Sequence, residues 1–243
     1  MKIGCKIIRL TSVDSTNNYV ANLIEKGEIK SGTVIMADDQ NEGKGQRGAE
    51  WHVKPGENLT FSVYYSDVNL SVDRVFVLTQ LVSIAIVDLL KKFGIVSSIK
   101  WPNDIYVGQQ KIAGVLIENQ IAGTLISNTI IGVGLNINQQ EFNNFEATSL
   151  FLSTGVSRKP ADVLYSFIES FNLLSQKFNG NDLIDLRKQY MSHLYQLNVS
   201  AKYRDKDGDF EGVIKDVLDK GELLINKGNE MKTYTLKEIQ FIS

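Results

Sequence analysis

The segment Gly43-Lys44-Gly45-Gln46-Arg47-Gly48 has the glycine spacing of a dinucleotide-binding turn, yet its surroundings exclude that fold. In doubly wound proteins the glycines of G-x-G-x-x-G open directly into a helix whose N-terminal amides hold a pyrophosphate. Part of that context is present: a strand is expected at 33–37, and Asp67 lies about twenty residues onward, where a ribose-binding acid belongs. However, polar residues 38–42 separate the strand from the first glycine, and Trp51-His52-Val53-Lys54-Pro55-Gly56 follows the last one. No helix runs through Pro55. A G-x-x-x-x-G-K-[ST] phosphate loop is absent as well. Two readings of the segment stay open: a mobile surface loop, or flexible backbone carrying Lys44 and Arg47 to close around a phosphate.

The rest of the chain alternates strand and helix signals before changing texture. Strands are expected at 6–10, 33–37 and 58–65, and a helix capped within Asp14-Ser15-Thr16 runs to about residue 26, stopped by Gly27. Val75, Leu78, Val82, Ile86 and Leu89 mark the clearest helix, with Ser71 as its expected cap and Gly94 as its end. Strands follow at 97–101, 111–119 and 124–136, then helices at 160–178 and 181–194, the first opening on Pro160. From about residue 197, short strand patterns at 200–204, 210–217, 223–226 and 232–236 alternate with Asp-Gly and Lys-Gly turns. The sequence divides into an α/β (α+β) domain at 1–196 and a small β-barrel at 197–243, marginal alone and expected to pack on its neighbour.

Composition narrows the chemistry. His52, His193 and Cys5 are the whole supply of histidine and cysteine. They do not furnish a zinc site, and neither histidine sits in a hydrolase-like setting; both read as structural residues. One cysteine makes no internal disulfide, which points to a reducing compartment. A net charge of -2 advertises neither a nucleic-acid nor a membrane surface. No apolar run reaches the roughly 18 residues of a membrane span, so the expected location is cytoplasmic.

Four further segments occur in order with the glycine loop: Asp14-Ser15-Thr16-Asn17, Lys100-Trp101-Pro102-Asn103-Asp104, residues 111–118 (KIAGVLIE) and residues 132–138 (GVGLNIN). Together the five blocks resemble the ordered motif set of the biotin protein ligases. The β-rich tail resembles that family's small SH3-like C-terminal domain. The resemblance implies a mixed-sheet catalytic domain related to class II aminoacyl-tRNA synthetases and lipoate ligases. It also implies two half-reactions: biotin and ATP give biotinyl-5'-AMP and pyrophosphate, and a lysine of a carrier domain then takes the biotinyl group.

Site roles follow from the resemblance, position by position. Ser15, Thr16, Asn17 and Gln40 match the partners of the ureido head. Lys44, Gly45 and Gln46 of the loop, with Gly114, Leu116 and Gly132, match the wall along the biotin tail. Lys111 is the fixed cation facing carboxylate and phosphate, where it offsets their repulsion. Gly43, Arg47 and Gly48 match the adenylate-binding loop, Trp51 the aromatic residue that stacks adenine, and Asn58, Asn103 and Asn136 adenylate or metal-shell contacts. Lys44 and Asp104 join Lys111 as catalytic candidates, Asp104 as proton acceptor for an incoming lysine whose amine is about 0.1% neutral at physiological pH. Considered alone, Ser15 or Thr16 reads as a helix cap, Trp51 as core, Asp104 as a turn former and Lys111 as a solvated hairpin residue. Magnesium is implied by the ATP chemistry, with no ligands assigned.

The loop departs from the family's arginine-rich G-R-G-R-R-G, carrying Lys44 and Gln46, so a bidentate fork and a charge are exchanged for a point charge and an amide. The first motif begins at Asp14, which reads as an enzyme-only form without a DNA-binding domain. The expected partner is a biotin carboxyl carrier protein domain of a biotin-dependent carboxylase, not DNA or membrane, with the ligase a monomer or homodimer. The rival readings are a lipoate or octanoate ligase on the same scaffold and a non-catalytic biotin sensor.

Overall fold

The computed structural model describes residues 2–51, 53–142, 146–177 and 183–242, with Arg47, Asp67 and Asn69 described by their backbone only. The expectation for His52, and the ends of the helices expected at 160–178 and 181–194, fall on positions outside that description. The elements run β1 (Lys6–Leu10), α1 (Thr16–Glu25), β2 (Thr33–Ala37), β3 (Leu59–Ser71), α2 (Phe76–Lys92), β4 (Ser98–Lys100), β5 (Asp104–Val107), β6 (Gln110–Ala122) and β7 (Leu125–Leu135). Then come α3 (Leu150–Thr154), α4 (Pro160–Lys177), α5 (Leu183–Ser192), β8 (Ser200–Asp205), β9 (Gly208–Val217), β10 (Leu223–Lys227), β11 (Glu230–Tyr234) and β12 (Gln240–Phe241).

Strands β1 to β7 form one sheet in the order β1-β2-β3-β7-β6-β5-β4. Only β1 and β2 pair in parallel; the other neighbours are antiparallel. Alternation along the strands divides the two faces. Val34, Met36, Phe61 and Val63 face the main core with α2, α4 and α5, where the Phe61 and Phe167 rings lie 5.0 Å apart. Ile35, Tyr64 and Ile130 face the other way, onto Val20 of α1. Helix α1 covers only part of that second face, and its N-terminus marks where the sheet becomes available.

Two local expectations are corrected, and one helix was not expected. Ser71 does not cap α2: β3 continues to Ser71, opposite Leu125, and a short 3-10 turn at Val72–Arg74 intervenes before α2. The long-range ladder between β3 and β7 outcompetes the cap. Asp104, which alone reads as a turn former, instead opens β5, a strand that the sequence pattern does not announce, with Ile105 fully buried between β4 and β6. The helix α3 was not legible as a periodic run. Its five residues rest on caps, with the Ser149 hydroxyl accepting from the Leu152 amide at 3.2 Å and Gly155 ending it at φ 69°.

The second sheet, β11-β10-β9-β8-β12, is antiparallel. Its interior residues Tyr203, Ile214, Leu223 and Ile225 belong to the same apolar cluster as the main core. The Trp101 indole Nε1 donates to the Gly221 carbonyl at 2.8 Å, tying the two sheets together. Among the described residues, no helix is long and apolar enough to cross a membrane.

Candidate functional site

One register row crosses the sheet on the α1 side: Ala37, Thr60, Gly134, Gly114, Asp104 and Lys100 are successive cross-strand partners from β2 to β4. A second row runs Ile35, Ser62, Gly132 and Leu116. Directly paired residues point to the same face, so three glycines at the centre of these rows leave a trough where side chains would otherwise stand. The trough is the floor of a cleft of ≈ 960 Å³. The glycine loop and α1 form one wall of it, and residues of the second sheet form another, among them Lys232, Tyr234 and Phe241.

The α1 end of the cleft is polar and neutral. Ser15 occupies the N-cap position, as its sequence setting implies, but its side chain makes no cap hydrogen bond and instead lines the cleft. The Gln40 amide oxygen accepts from the Thr16 amide at 2.8 Å and the Thr16 hydroxyl at 3.0 Å, which fixes its NH2 as the donor, with no bond from it among the described residues. Asn17 donates to Glu118 at 2.7 Å and accepts from the Ser62 hydroxyl at 2.5 Å. Gly132 is required by this cluster, since a Cβ there would stand 2.5 Å from Asn17 Oδ1.

Charge enters at the middle of the row. Lys111 Nζ and Asp104 Oδ1 are 2.7 Å apart. A β-bulge makes that pair possible. Ile105 pairs with Ala113 while Tyr106 pairs with Lys111, so Ile112 is an extra residue on β6 and Lys111 emerges on the same face as Gly114. Backbone bonds from Lys111 N to Glu146 O at 2.8 Å and from Thr148 N to Lys111 O at 2.9 Å hold it there. Beyond Asp104, Lys100 is half-buried, 3.2 Å from the Tyr106 hydroxyl. Burial pushes its ammonium below the usual lysine range, although Asp104 and Glu146 act in the opposite sense. Burial likewise raises the Tyr106 phenol to about 12.

The Trp51 indole lies across the trough, against Gly114 and Gly134, with Lys111 Nζ 5.5 Å from its ring centroid. Its buried Nε1 has no hydrogen-bond partner among the described residues. Gly43 shapes the approach: its carbonyl accepts from the Trp51 amide at 2.8 Å, and a Cβ on Gly43 would collide with the Trp51 carbonyl. Lys44 reaches back to Asn18 Oδ1 at 2.7 Å, and Asn18 donates in turn to Asp14 at 2.7 Å. That bond holds the Asp14 carboxyl below the usual carboxylate range.

The cleft therefore brings together Ser15, Thr16, Asn17, Gln40, Lys44, Gly45, Gln46, Trp51, Asn103, Asp104, Lys111, Gly114, Leu116 and Gly132. Asn58 and Asn136 stand behind it instead. Asn58 donates to Gln139 at 2.5 Å and accepts from the Ile137 amide at 3.0 Å, and Asn136 donates to the Thr148 carbonyl at 2.9 Å. Both are buried, and these bonds brace the segment after β7. Asn103 also has an internal bond, from Nδ2 to the Val115 carbonyl. Gly43 and Gly48 contribute backbone geometry outside the cleft wall, Gly48 at φ 78°; the Arg47 side chain lies outside the described atoms. Sequence reasoning missed Thr60, Ser62, Gly134 and the wall from the second sheet. Alternation in 58–65 and the spacing of Gly132 and Gly134 carried the first three signals; nothing local announced the last.

The biotin/lipoate A/B protein ligase family model matches residues 10–136, just over half of the 243 residues. The chain is 27% identical over 238 residues to the bifunctional ligase/repressor BirA of Bacillus subtilis, covering 95% of this chain and 71% of that one. It is 27% identical over 222 residues to the biotin–[acetyl-CoA-carboxylase] ligase of Mycobacterium tuberculosis, covering 88% and 80%. The biotin protein ligase of Aquifex aeolicus in complex with biotin and ATP has the same fold, with a TM-score of 0.81 at 25% identity over 98% of both chains. With the motifs gathered on one sheet face and the match running through them, the chain belongs to the biotin/lipoate A/B protein ligase family and is a ligase.

Proposed function

We propose that the protein joins biotin to ATP as biotinyl-5'-AMP and then passes the biotinyl group to one lysine of a biotin carboxyl carrier domain. The observation that carries this reading is the placement of Lys111, paired with Asp104 at the centre of a glycine-floored trough whose α1 end is polar and uncharged. A ureido group needs both donors and acceptors in a small space, and Gln40, Thr16, Asn17 and Ser15 offer both. A dithiolane ring, as in lipoate, would leave these groups unsatisfied, at a cost of about 1–3 kcal/mol each.

In the first step a carboxylate oxygen attacks the α-phosphorus, and the bond to the bridging oxygen breaks with its electron pair leaving on pyrophosphate. Lys111 lies where it offsets repulsion between the two anions. In the second step the carrier amine attacks the acyl carbon of the mixed anhydride, AMP leaves, and Asp104 is the carboxylate near enough to guide the amine and accept its proton. Trp51 offers an aromatic plane beside the reacting groups for the adenine.

Magnesium accompanies ATP as a hard cation on phosphate oxygens. Among the described residues no cluster of three acidic, histidine or cysteine side chains forms a metal site, and Asp104 is engaged by Lys111. The residues thus do not build a resident metal cage, and no step is assigned to one. The reading places the enzyme in the cytoplasm, acting on a protein carrier.

Incubation with MgATP, a carrier domain and either labelled biotin or labelled lipoate tests the proposal. Carrier should be labelled from biotin alone. Labelling from lipoate, or no pyrophosphate release with biotin, would overturn it.

A further inference from the structure

We propose that Lys100 binds the β,γ-phosphate end of the nucleotide and the pyrophosphate that departs from it. This rests on the ligase reading above and deepens it by assigning the leaving-group subsite.

Lys100 ends the register row that begins at Ala37, directly opposite Asp104 and one strand beyond it from Gly114. The two charged groups nearer the trough are engaged with each other, since Lys111 holds Asp104 at 2.7 Å. Lys100 itself makes no ion pair: among the described residues no carboxylate stands within ion-pair distance of it, although Asp104 and Glu146 are near enough to favour its charge. Its ammonium rests instead on the faces of Tyr106 and Phe241, 4.6 Å and 5.3 Å from the ring centroids. Contacts of that kind orient a cation without cancelling its charge.

A half-buried ammonium without a directly paired anion is an expensive way to pack two aromatic rings. A methionine would fill the same space without the desolvation cost. The cost is repaid when an anion arrives, and the reaction provides one at this end of the cleft. Lys111 addresses the carboxylate and the α-phosphate. When the α-phosphorus to bridging-oxygen bond breaks, the electron pair goes to the leaving pyrophosphate, which gains charge at a distance from Lys111. Lys100 lies on the far side of Asp104 from Lys111, facing the wall from the second sheet, where Lys206 and Lys237 also line the cleft, beside Glu238 and the Lys232–Asp205 pair. A polyphosphate extending that way exchanges water for fixed cations.

The test uses the full chain and inorganic pyrophosphate with magnesium as the probe. In Lys100→Met, adenylate formation should fall roughly 10- to 150-fold, the range for losing one hydrogen bond to a charged group. The pyrophosphate concentration that half-inhibits adenylate formation should rise more than about tenfold on the same scale. Transfer to the carrier from supplied biotinyl-5'-AMP should stay within about twofold, because AMP and not pyrophosphate leaves in that step. Lys100→Arg keeps the charge and should recover most of the pyrophosphate inhibition. Unchanged pyrophosphate inhibition in Lys100→Met overturns the assignment. A defect confined to transfer also overturns it, by assigning Lys100 to the carrier. Equal losses in the Met and Arg variants assign the residue to packing against Phe241. Failure of the biotin reading is separable: the wild-type protein would then release pyrophosphate with lipoate instead, and pyrophosphate inhibition of that reaction would still report on Lys100.

Discussion

Replacing Gly134 by alanine probes the trough at its most crowded point. A Cβ there would stand 2.5 Å from Trp51 Cζ2 and 2.6 Å from Nε1. Ordinary carbon contacts lie near 3.5–4.0 Å, so one partner must retreat by about 1 Å or more. Strand β7 is hydrogen-bonded to β3 on one side and β6 on the other, and moving it breaks two ladders. The indole is the partner that yields. An indole buries about 200 Å², and losing half of that contact costs about 2.5 kcal/mol at 25 cal/mol per Å². Tolerating the clash costs about 1–3 kcal/mol. Either way adenylate formation should fall about 5- to 150-fold, by the relation of 1.4 kcal/mol per factor of ten. Two observables follow. Pyrophosphate release from biotin and ATP should drop by that factor, and tryptophan emission should shift to the red. The protein has two tryptophans and Trp101 is 5% exposed, so a red shift reports on Trp51. Unchanged emission together with activity within about twofold of wild type would refute the crowding argument.

Lys111→Ala should reduce adenylate formation at least about 100-fold, and near-normal pyrophosphate release would remove the residue from the first step. Asp104→Asn should slow transfer from supplied adenylate by about 100-fold or more and adenylate synthesis less, with the transfer defect shrinking at high pH as the target amine becomes neutral. A larger loss in synthesis than in transfer would contradict the assigned role. Asp205 supports the second sheet: burial opposes its charge, yet hydrogen bonds from Lys232, Lys227, the Asp207 amide and Tyr234 hold its carboxyl well below the usual carboxylate range. A carboxyl depressed on folding stabilises at pH above its unfolded value, near 3.9, and loses that contribution below it. Asp205→Asn should therefore lower the melting temperature at neutral pH, and its gap to wild type should narrow below about pH 4. A gap independent of pH between 7 and 3 would refute the ion-pair account.

Much of this site was legible because its blocks are local. The loop glycines, Lys111 and the Gly132–Gly134 spacing are written as short strings, and alternation locates β3, which begins at Leu59, one residue after the expected start at Asn58. What was not legible depends on pairing between strands. Asn58 and Asn136 are polar residues in motif positions, but the bonds they make with Gln139, Ile137 and Thr148 arise only after the segment following β7 folds back. Ser71 has the composition of a helix cap, and a ladder to Leu125 overrides it. The wall from the second sheet comes from residues more than 90 positions beyond Lys111, such as Lys232 and Phe241, with no shared string.

The bulge at Ile112 has a consequence for how mutations in this region are read. Ile112 and Ala113 are both fully buried, so two successive residues of β6 face the core and the phase of alternation slips by one. Were the slip to migrate past Ile112, an isoleucine would enter the cleft and an ammonium would enter the core. Those two penalties lock the phase from opposite sides. A polar substitution at Ile112 weakens the lock and turns Lys111 away from the reacting groups, so the lesion presents as a chemical defect in a side chain that never meets a ligand.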